Sequence, residues 1–189
     1  MRLSCAARTD PGLRRPSNED GFCVRQDLGL FVVTDGMGGH VAGEVAARIA
    51  LEQLEKFVDE TTTTGLTSSW PLPVIPKIGR NGNRLNAGLL KANERITAEI
   101  CNNADLQGMA TTAVAVLLDD EPGAVAHVGD SRAYLHRGGL LSRLTRDHSW
   151  VEEQVRAGML SSNAARDHPW RNVVTRAISG TPELDYFQE

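Results

Sequence analysis

Residues 28–40 read LGLFVVTDGMGGH. The run 28–34 is apolar and β-branched, which predicts a strand in the core of a sheet. It ends on Asp35, and Gly36, Gly38 and Gly39 follow before a helical pattern starts at Val41. Asp-Gly is ordinary chemistry for leaving a strand, and taken alone it reads as a turn. The glycines add something more: without a Cβ they let backbone carbonyls approach a ligand closely. Asp35 and the Gly36 carbonyl are therefore candidates to hold a hard cation, provided other carboxylates join them, because one carboxylate rarely binds Mg²⁺ or Mn²⁺ strongly.

Working outward, turn-forming residues separate this run from two further predicted strands, 3–8 and 21–25. Downstream, Val45, Ile49, Leu54 and Val58 recur near helical spacing to about Thr61, with Glu44 and Arg48 set as an i,i+4 pair on another face. The stretch TTTTGLTSSWPLPVIPKIGRNG (61–82) reads as a surface loop, since its prolines break a helix. Leu85, Leu89, Ala92, Ile96 and Ile100 mark a second helix over residues 84–101. Four short strand-like runs follow, TTAVAVLL, GAVAHVGD, SRAYLHR and LLSRLT, joined by tight turns and hence antiparallel. Ser149 and Glu152 form a capping box for a helix to about Arg156, which Gly158 stops. Strands, then helices, then strands again predict an α+β domain with helices covering antiparallel sheets.

The 189 residues suit a single domain, 1–189, with 41% hydrophobic and 23% charged residues. A formal charge of −4 gives no general attraction to nucleic acid or an anionic membrane. No run approaches the length of a membrane span and MRLSCAARTD lacks a signal-peptide core, so a cytoplasmic location is expected. Cys5, Cys23 and Cys101 are odd in number and widely spaced, which reads as reduced thiols rather than a disulfide frame or a zinc site.

Two more acidic groups stand at strand ends. Asn18-Glu19-Asp20 leads into one strand, and Asp130 lies between two others, where a hairpin turn is the plain reading. If these ends converge, an all-oxygen cluster favours Mg²⁺ or Mn²⁺ over zinc. Two such ions about 3.5–4 Å apart clamp a phosphoryl group for in-line attack. Arg15, four residues before Glu19, suits bidentate binding of phosphate oxygens.

The ordered set TDPGLRRPSNEDGF, VVTDGMGGHVAGE, GMATTAVAVL, AHVGDSRAYLHR, LTRDHSWVEEQVRAGML and HPWRNVVTRAISGTPELD, covering Leu3 to Asp185, resembles the metal-dependent serine/threonine protein phosphatases (the PPM class, type 2C), in particular their bacterial branch. The resemblance implies a four-layer α-β-β-α sandwich, two antiparallel sheets flanked by helices, with a metal site at one edge. It implies that Asp35 bridges two Mn²⁺ or Mg²⁺ ions, that Gly36 supplies a carbonyl, that Glu19 and Asp20 bind metal directly or through water, and that Asp130 meets a third, weaker ion. Arg15 would hold the substrate phosphate, and a metal-bound hydroxide would attack phosphoserine or phosphothreonine directly. The implied partner is a phosphoprotein, the target of a serine/threonine kinase, met by a monomer without nucleic acid or membrane.

The sequence departs from the family's pattern in two places. Many eukaryotic members carry a histidine after the Asp-Gly as general acid; here Met37 stands there and His40 lies three residues on, as in bacterial relatives, where it either approaches the site as a catalytic group or sits at the first turn of the helix, a metal-bound water then serving as the acid. Family members also continue past TPELD to a Ser-Asp-Gly strand and an Asp-Asn motif that supply metal ligands, and neither occurs here. The expectation is a domain incomplete at its C-terminal end, with weakened metal binding and exposed core; the alternative function is a non-catalytic pseudophosphatase or regulatory binding module. Asp147 and His148 are expected to fix the turn before the capped helix, and His127 and His136 to be packed or solvated. Arg166, His168 and Arg171 fall in the family's variable flap, 149–180, where solvated surface is the plain reading and contact with the phosphoprotein the other.

Overall fold

The structure is a computed structural model that describes residues 2–13, 15, 17–38, 42–64, 70 and 73–181, with residues 63 and 64 described in backbone only. Alternate residues of β2 (Leu30–Met37) decide its architecture: Leu30, Val32 and Thr34 are buried on one face, whereas Phe31, Val33 and Asp35 point to the other. β2 pairs antiparallel with β1 (Asp20–Arg25) on one side and with β4 (Ala113–Leu117) on the other, and β4 pairs with β5 (Ala124–Val128). The short β3 (Ala110–Thr111) adds to the far end of β2. A separate ribbon pairs β6 (Tyr134–Arg137) with β7 (Leu140–Arg143). Two antiparallel sheets with helices, as expected, thus make up the α+β fold.

Two long helices, α1 (Ala42–Thr64) and α2 (Gly79–Asn102), cover the face of Leu30 and Val32. Ile49, Leu54 and Val58 of α1 and Leu85, Leu89, Ala92 and Ile96 of α2 lock with Ala113, Ala115, Leu117, Ala126 and Val128 in one core. That is the face each helix was expected to bury. Arg84 enters this region as a buried cation that donates to the Val58 carbonyl (2.6 Å), Thr61 (3.0 Å), Thr62 (2.7 Å), Asn81 (3.2 Å) and Asp119 (3.2 Å), tying α1 and α2 to the turn after β4. The opposite sheet face carries Phe22 and Val33, 42% and 49% exposed. Among the described residues no helix is long and apolar enough to cross a membrane.

Several sequence expectations are corrected. Residues 3–8 form no strand; they run irregular and largely exposed, because an apolar alternation without a pairing partner does not make a sheet. β2 does not end at Thr34: Asp20 pairs with Asp35, and Thr111 and Ala110 pair with Gly36 and Met37, so ladder partners carry the strand through the Asp-Gly. α2 begins at Gly79, within the expected loop, since its polar first turn is held by tertiary bonds, Asn81 to Asp119 (2.6 Å) and Asn83 to both backbone groups of Ile75 (2.8 and 2.9 Å). Arg48 pairs with Glu52 (3.0 Å), the acid one turn after it, rather than with Glu44 one turn before; both lie at i,i±4 spacing, and helical periodicity does not choose between them. TTAVAVLL is two strands split at Thr112. Asp130 is not at a hairpin tip, for β5 and β6 belong to different sheets.

The capped helix α3 (Trp150–Arg156) starts at Ser149 as expected, and Gly158, at φ 72°, follows its end. A further short helix, α4 (Ser162–Arg166), is capped by Ser161.

Candidate metal and phosphate site

Asp35 and Asp20 face each other because the β1–β2 register pairs them directly, with both side chains on the sheet face away from the helices. Like charges directly opposite are unfavourable, and the effect is visible: burial, the Asp20 charge and a side-chain hydrogen bond with Asp20 push the Asp35 carboxyl up to about 6, with a further contribution from Asp130 and partial relief from Arg15. Asp35, Arg15, Glu19, Gly36 and Asp130 line one open cleft of about 740 Å³, together with Ser17, Met37, Gly38, Asn172 and Val174. Asp20 lines the adjoining groove over the open sheet face. The structure therefore brings together the expected Arg15, Glu19, Asp20, Asp35, Gly36 and Asp130. His40 lies outside the described residues.

The backbone under this cluster is tightly fixed. The Asp35 carbonyl accepts from Thr112 N–H (2.9 Å) and Thr111 Oγ1 (3.1 Å), while Asp35 N–H donates to Thr112 Oγ1 (3.2 Å). Thr112 Oγ1 in turn shares a 2.7 Å hydrogen bond with Ser131, the neighbour of Asp130. The two Thr residues interrupt the otherwise apolar run of sequence 109–118, which is the sequence signal that marks them. Glu19 is held by its carbonyl, which accepts from Gly36 N–H at 3.1 Å.

Gly36 and Gly43 explain the glycine-rich segment. A Cβ on Gly36 would stand 2.1 Å from the Gly43 carbonyl oxygen, and one on Gly43 would stand 2.5 Å from Glu19 Oε2 and 2.9 Å from the Gly36 carbonyl carbon. The end of β2, the start of α1 and the Glu19 carboxylate meet where no side chain fits. Gly43 was not singled out from the sequence, although a glycine in the first turn of a helix is itself a cost that asks for a reason.

Asp147 and His148 do the turn-fixing expected of them. Arg132 Nε donates to both Asp147 oxygens (2.9 and 3.1 Å), its Nη2 also reaches Asp147, and Arg143 approaches the same carboxylate. His148 Nδ1 accepts from Gly129 N–H (3.1 Å) and its own N–H donates to the Gly129 carbonyl (2.9 Å), holding the residue before Asp130. His148 stacks on buried His127 at 4.6 Å, and burial, then His127 and Arg176, push it down to about 4, so it is neutral and an acceptor at pH 7. His127 is packed, with Nε2 donating to the Arg146 carbonyl (2.6 Å), and His136 is exposed.

A carboxylate whose proton affinity is raised by burial and by the Asp20 charge facing it, with further carboxylates and carbonyl groups beside it, fits a hard divalent cation in kind. Among the described residues no three acidic, cysteine or histidine side chains stand close enough together to hold a metal ion by themselves.

The protein phosphatase 2C family profile matches residues 17–180. The chain belongs to the protein phosphatase 2C family. This family member is 35% identical over 178 residues to the serine/threonine protein phosphatase PstP of Mycobacterium tuberculosis, over 94% of this chain and 31% of that protein, and so spans about a third of that relative's length. The crystal structure of M. tuberculosis PstP/Ppp superposes with a TM-score of 0.83 at 33% identity, covering 97% of this chain and 71% of the other. A structure of the PstP catalytic domain with two manganese ions gives 0.78 at 32% identity, covering 97% and 70%. Solved relatives thus share the fold.

Proposed function

We propose that this phosphatase 2C family member hydrolyses phosphoserine and phosphothreonine esters on proteins with Mn²⁺ or Mg²⁺. The observation that carries the reading is Asp35, paired across the hairpin with Asp20, sharing one cleft with Glu19, Asp130 and the guanidinium of Arg15, a site with surplus negative charge next to a cation suited to phosphate. Asp35, Asp20, Glu19, Asp130 and the Gly36 carbonyl would hold two ions and a third, weaker one, as the family's motifs imply. Bound there, such ions supply positive charge to the phosphoryl oxygens and a water acidic enough to act as nucleophile at neutral pH.

The chain's own residues do the rest. Arg15 binds and orients the ester by a fork of N–H donors. Thr111 and Thr112 hold the Asp35 backbone at two atoms, so the carboxylate is presented in one position. No cysteine lines the cleft, which agrees with direct attack on phosphorus rather than a cysteinyl intermediate. His40 is proposed as the group that returns a proton to the leaving oxygen, imidazole being the side chain type suited to exchanging a proton near neutral pH. The cytoplasm, a monomer and opposition to a serine/threonine kinase complete the proposal; free Cys5, Cys23 and Cys101 suit a reducing compartment.

The test is phosphate release from a phosphothreonine peptide and from p-nitrophenyl phosphate, with Mn²⁺ and with chelator. Asp35→Ala should lower Mn²⁺-dependent turnover by more than about a hundredfold with an unchanged circular-dichroism spectrum; retained turnover would falsify the mechanism. His40→Ala should slow the peptide and spare p-nitrophenyl phosphate, whose leaving group needs no proton. Equal slowing of both removes His40 from that role. Metal-independent silence together with phosphopeptide binding would turn the reading to the non-catalytic binding module.

A further inference from the structure

A second concavity of about 680 Å³ opens beside the cleft, and Asp130 and Asn172 line both. Its walls carry four arginines, Arg132, Arg143, Arg166 and Arg171, against the acids Asp130, Asp147 and Glu152. Two of the arginines are already neutralised: Arg132 forks onto Asp147, and Arg143 lies 3.7 Å from Asp147 and 3.4 Å from Glu152. Arg166 and Arg171 are exposed and have no ion pair among the described residues. On a chain of net charge −4, two uncompensated guanidinium groups in one groove are a local exception.

The segment that carries them is built, not loose. Ser161 caps the helix bearing Arg166, accepting from Ala164 N–H at 3.2 Å. Arg171 N–H donates to the His168 carbonyl (3.0 Å), Trp170 N–H donates to His168 Nδ1 (3.1 Å), and the His168 ring stacks on Trp150 at 4.7 Å. Trp150 N–H donates to Val173 (2.9 Å) and Thr175 N–H to His148 (2.8 Å), anchoring the loop to the turn that holds Gly129.

We infer that this groove seats an acidic side chain, Asp or Glu, that lies within a few residues of the phosphoserine or phosphothreonine in the substrate protein. The inference rests on the phosphatase reading of the neighbouring cleft. With the ester on Arg15, an extended chain advances about 3.3 Å per residue, and Asn172, shared by both concavities and adjacent to Arg171, lies on the route. Arg166 and Arg171 offer planar donor forks that match a carboxylate. The chain would thus prefer acidic flanks to basic ones, and lose the preference at high salt.

Binding is read by fluorescence anisotropy on the Asp35→Asn chain, in which the proposed mechanism predicts no turnover. The probes are labelled phosphothreonine peptides with Glu, Ala or Lys at each of the three positions on either side. Glu at one or more positions should tighten binding about three- to tenfold over Ala, and Arg166→Ala with Arg171→Ala should abolish the difference. Arg166→Glu with Arg171→Glu should shift the preference to Lys, an outcome that mere loss of structure does not give. Equal affinities, no binding, or a Glu preference that survives the double alanine variant overturns the inference. Hydrolysis of p-nitrophenyl phosphate with Mn²⁺ by the unaltered chain and by the double alanine variant separates the two readings. Turnover without flank preference defeats the groove alone, and flank preference without turnover defeats the phosphatase reading alone.

Discussion

Asp35 and His148 are two titrating groups with opposite effects on stability. The Asp35 carboxyl is raised in the folded chain to about 6, against an ordinary value of about 3.9, so it favours the folded state below that ordinary value and the advantage is lost as pH rises through 6. Without metal, Asp35→Asn should therefore raise the melting temperature by a few degrees at pH 8 and leave it unchanged at pH 3.5; a lower melting temperature at pH 8 would refute the crowding. His148 is depressed to about 4 from an ordinary value of about 6.5, so its contribution is complete above 6.5 and fades as pH falls toward 4, as protonation takes away the acceptor for Gly129 N–H. His148→Gln should flatten that part of the stability curve, worth on the order of 3 kcal/mol, in urea midpoints taken between pH 7 and 4.5. The sequence made Asp35, Asp20, Glu19, Asp130 and Arg15 legible because carboxylates at strand ends are few. That Asp20 lies opposite Asp35 was not legible, since register follows from the whole hairpin and not from either residue.

At the scale of elements, periodicity did most of the work. The buried positions of α1 and α2 follow from helical spacing, and the alternation in β2 follows from strand spacing. The misreadings share one cause: local turn chemistry looks the same whether a neighbour pairs or not. Asp35-Gly36 has ladder partners and continues as strand; Gly129-Asp130 lacks a hairpin partner and crosses to another sheet. Arg84 shows the same dependence on distant groups, since a lone arginine in an apolar helix face reads as exposed until Thr61, Thr62 and Asp119 surround it. Arg84→Ala should cost about 3 kcal/mol, because it leaves the Val58 carbonyl and Asp119 without their cation; a loss below about 1 kcal/mol in denaturant unfolding would show that water replaces it. Gly43→Ala should cost about 1–3 kcal/mol and displace the Glu19 carboxylate, read as a weaker Mn²⁺ response in calorimetry.

For the whole molecule, one face of the main sheet is sealed by α1 and α2, whereas the other leaves Phe22 and Val33 in part open, and the β6–β7 ribbon exposes Leu140 and Leu141 at 73% and 67%. Apolar surface of this kind binds hydrophobic dyes. Leu140→Thr with Leu141→Thr should lower anilinonaphthalene sulfonate fluorescence without lowering the melting temperature, and an unchanged signal would place the dye on the sheet face instead. The β1–β2 hairpin also sets an order of events during synthesis. It needs only contacts between residues close in the chain, so the ribosome delivers Asp20 and Asp35 face to face early, while Thr112, which clasps Asp35, comes later and Asp130 later still. A nascent chain thus carries two opposed carboxylates before their clasp exists, and a divalent ion in the surrounding medium would act on the folding of that hairpin before any substrate can be met.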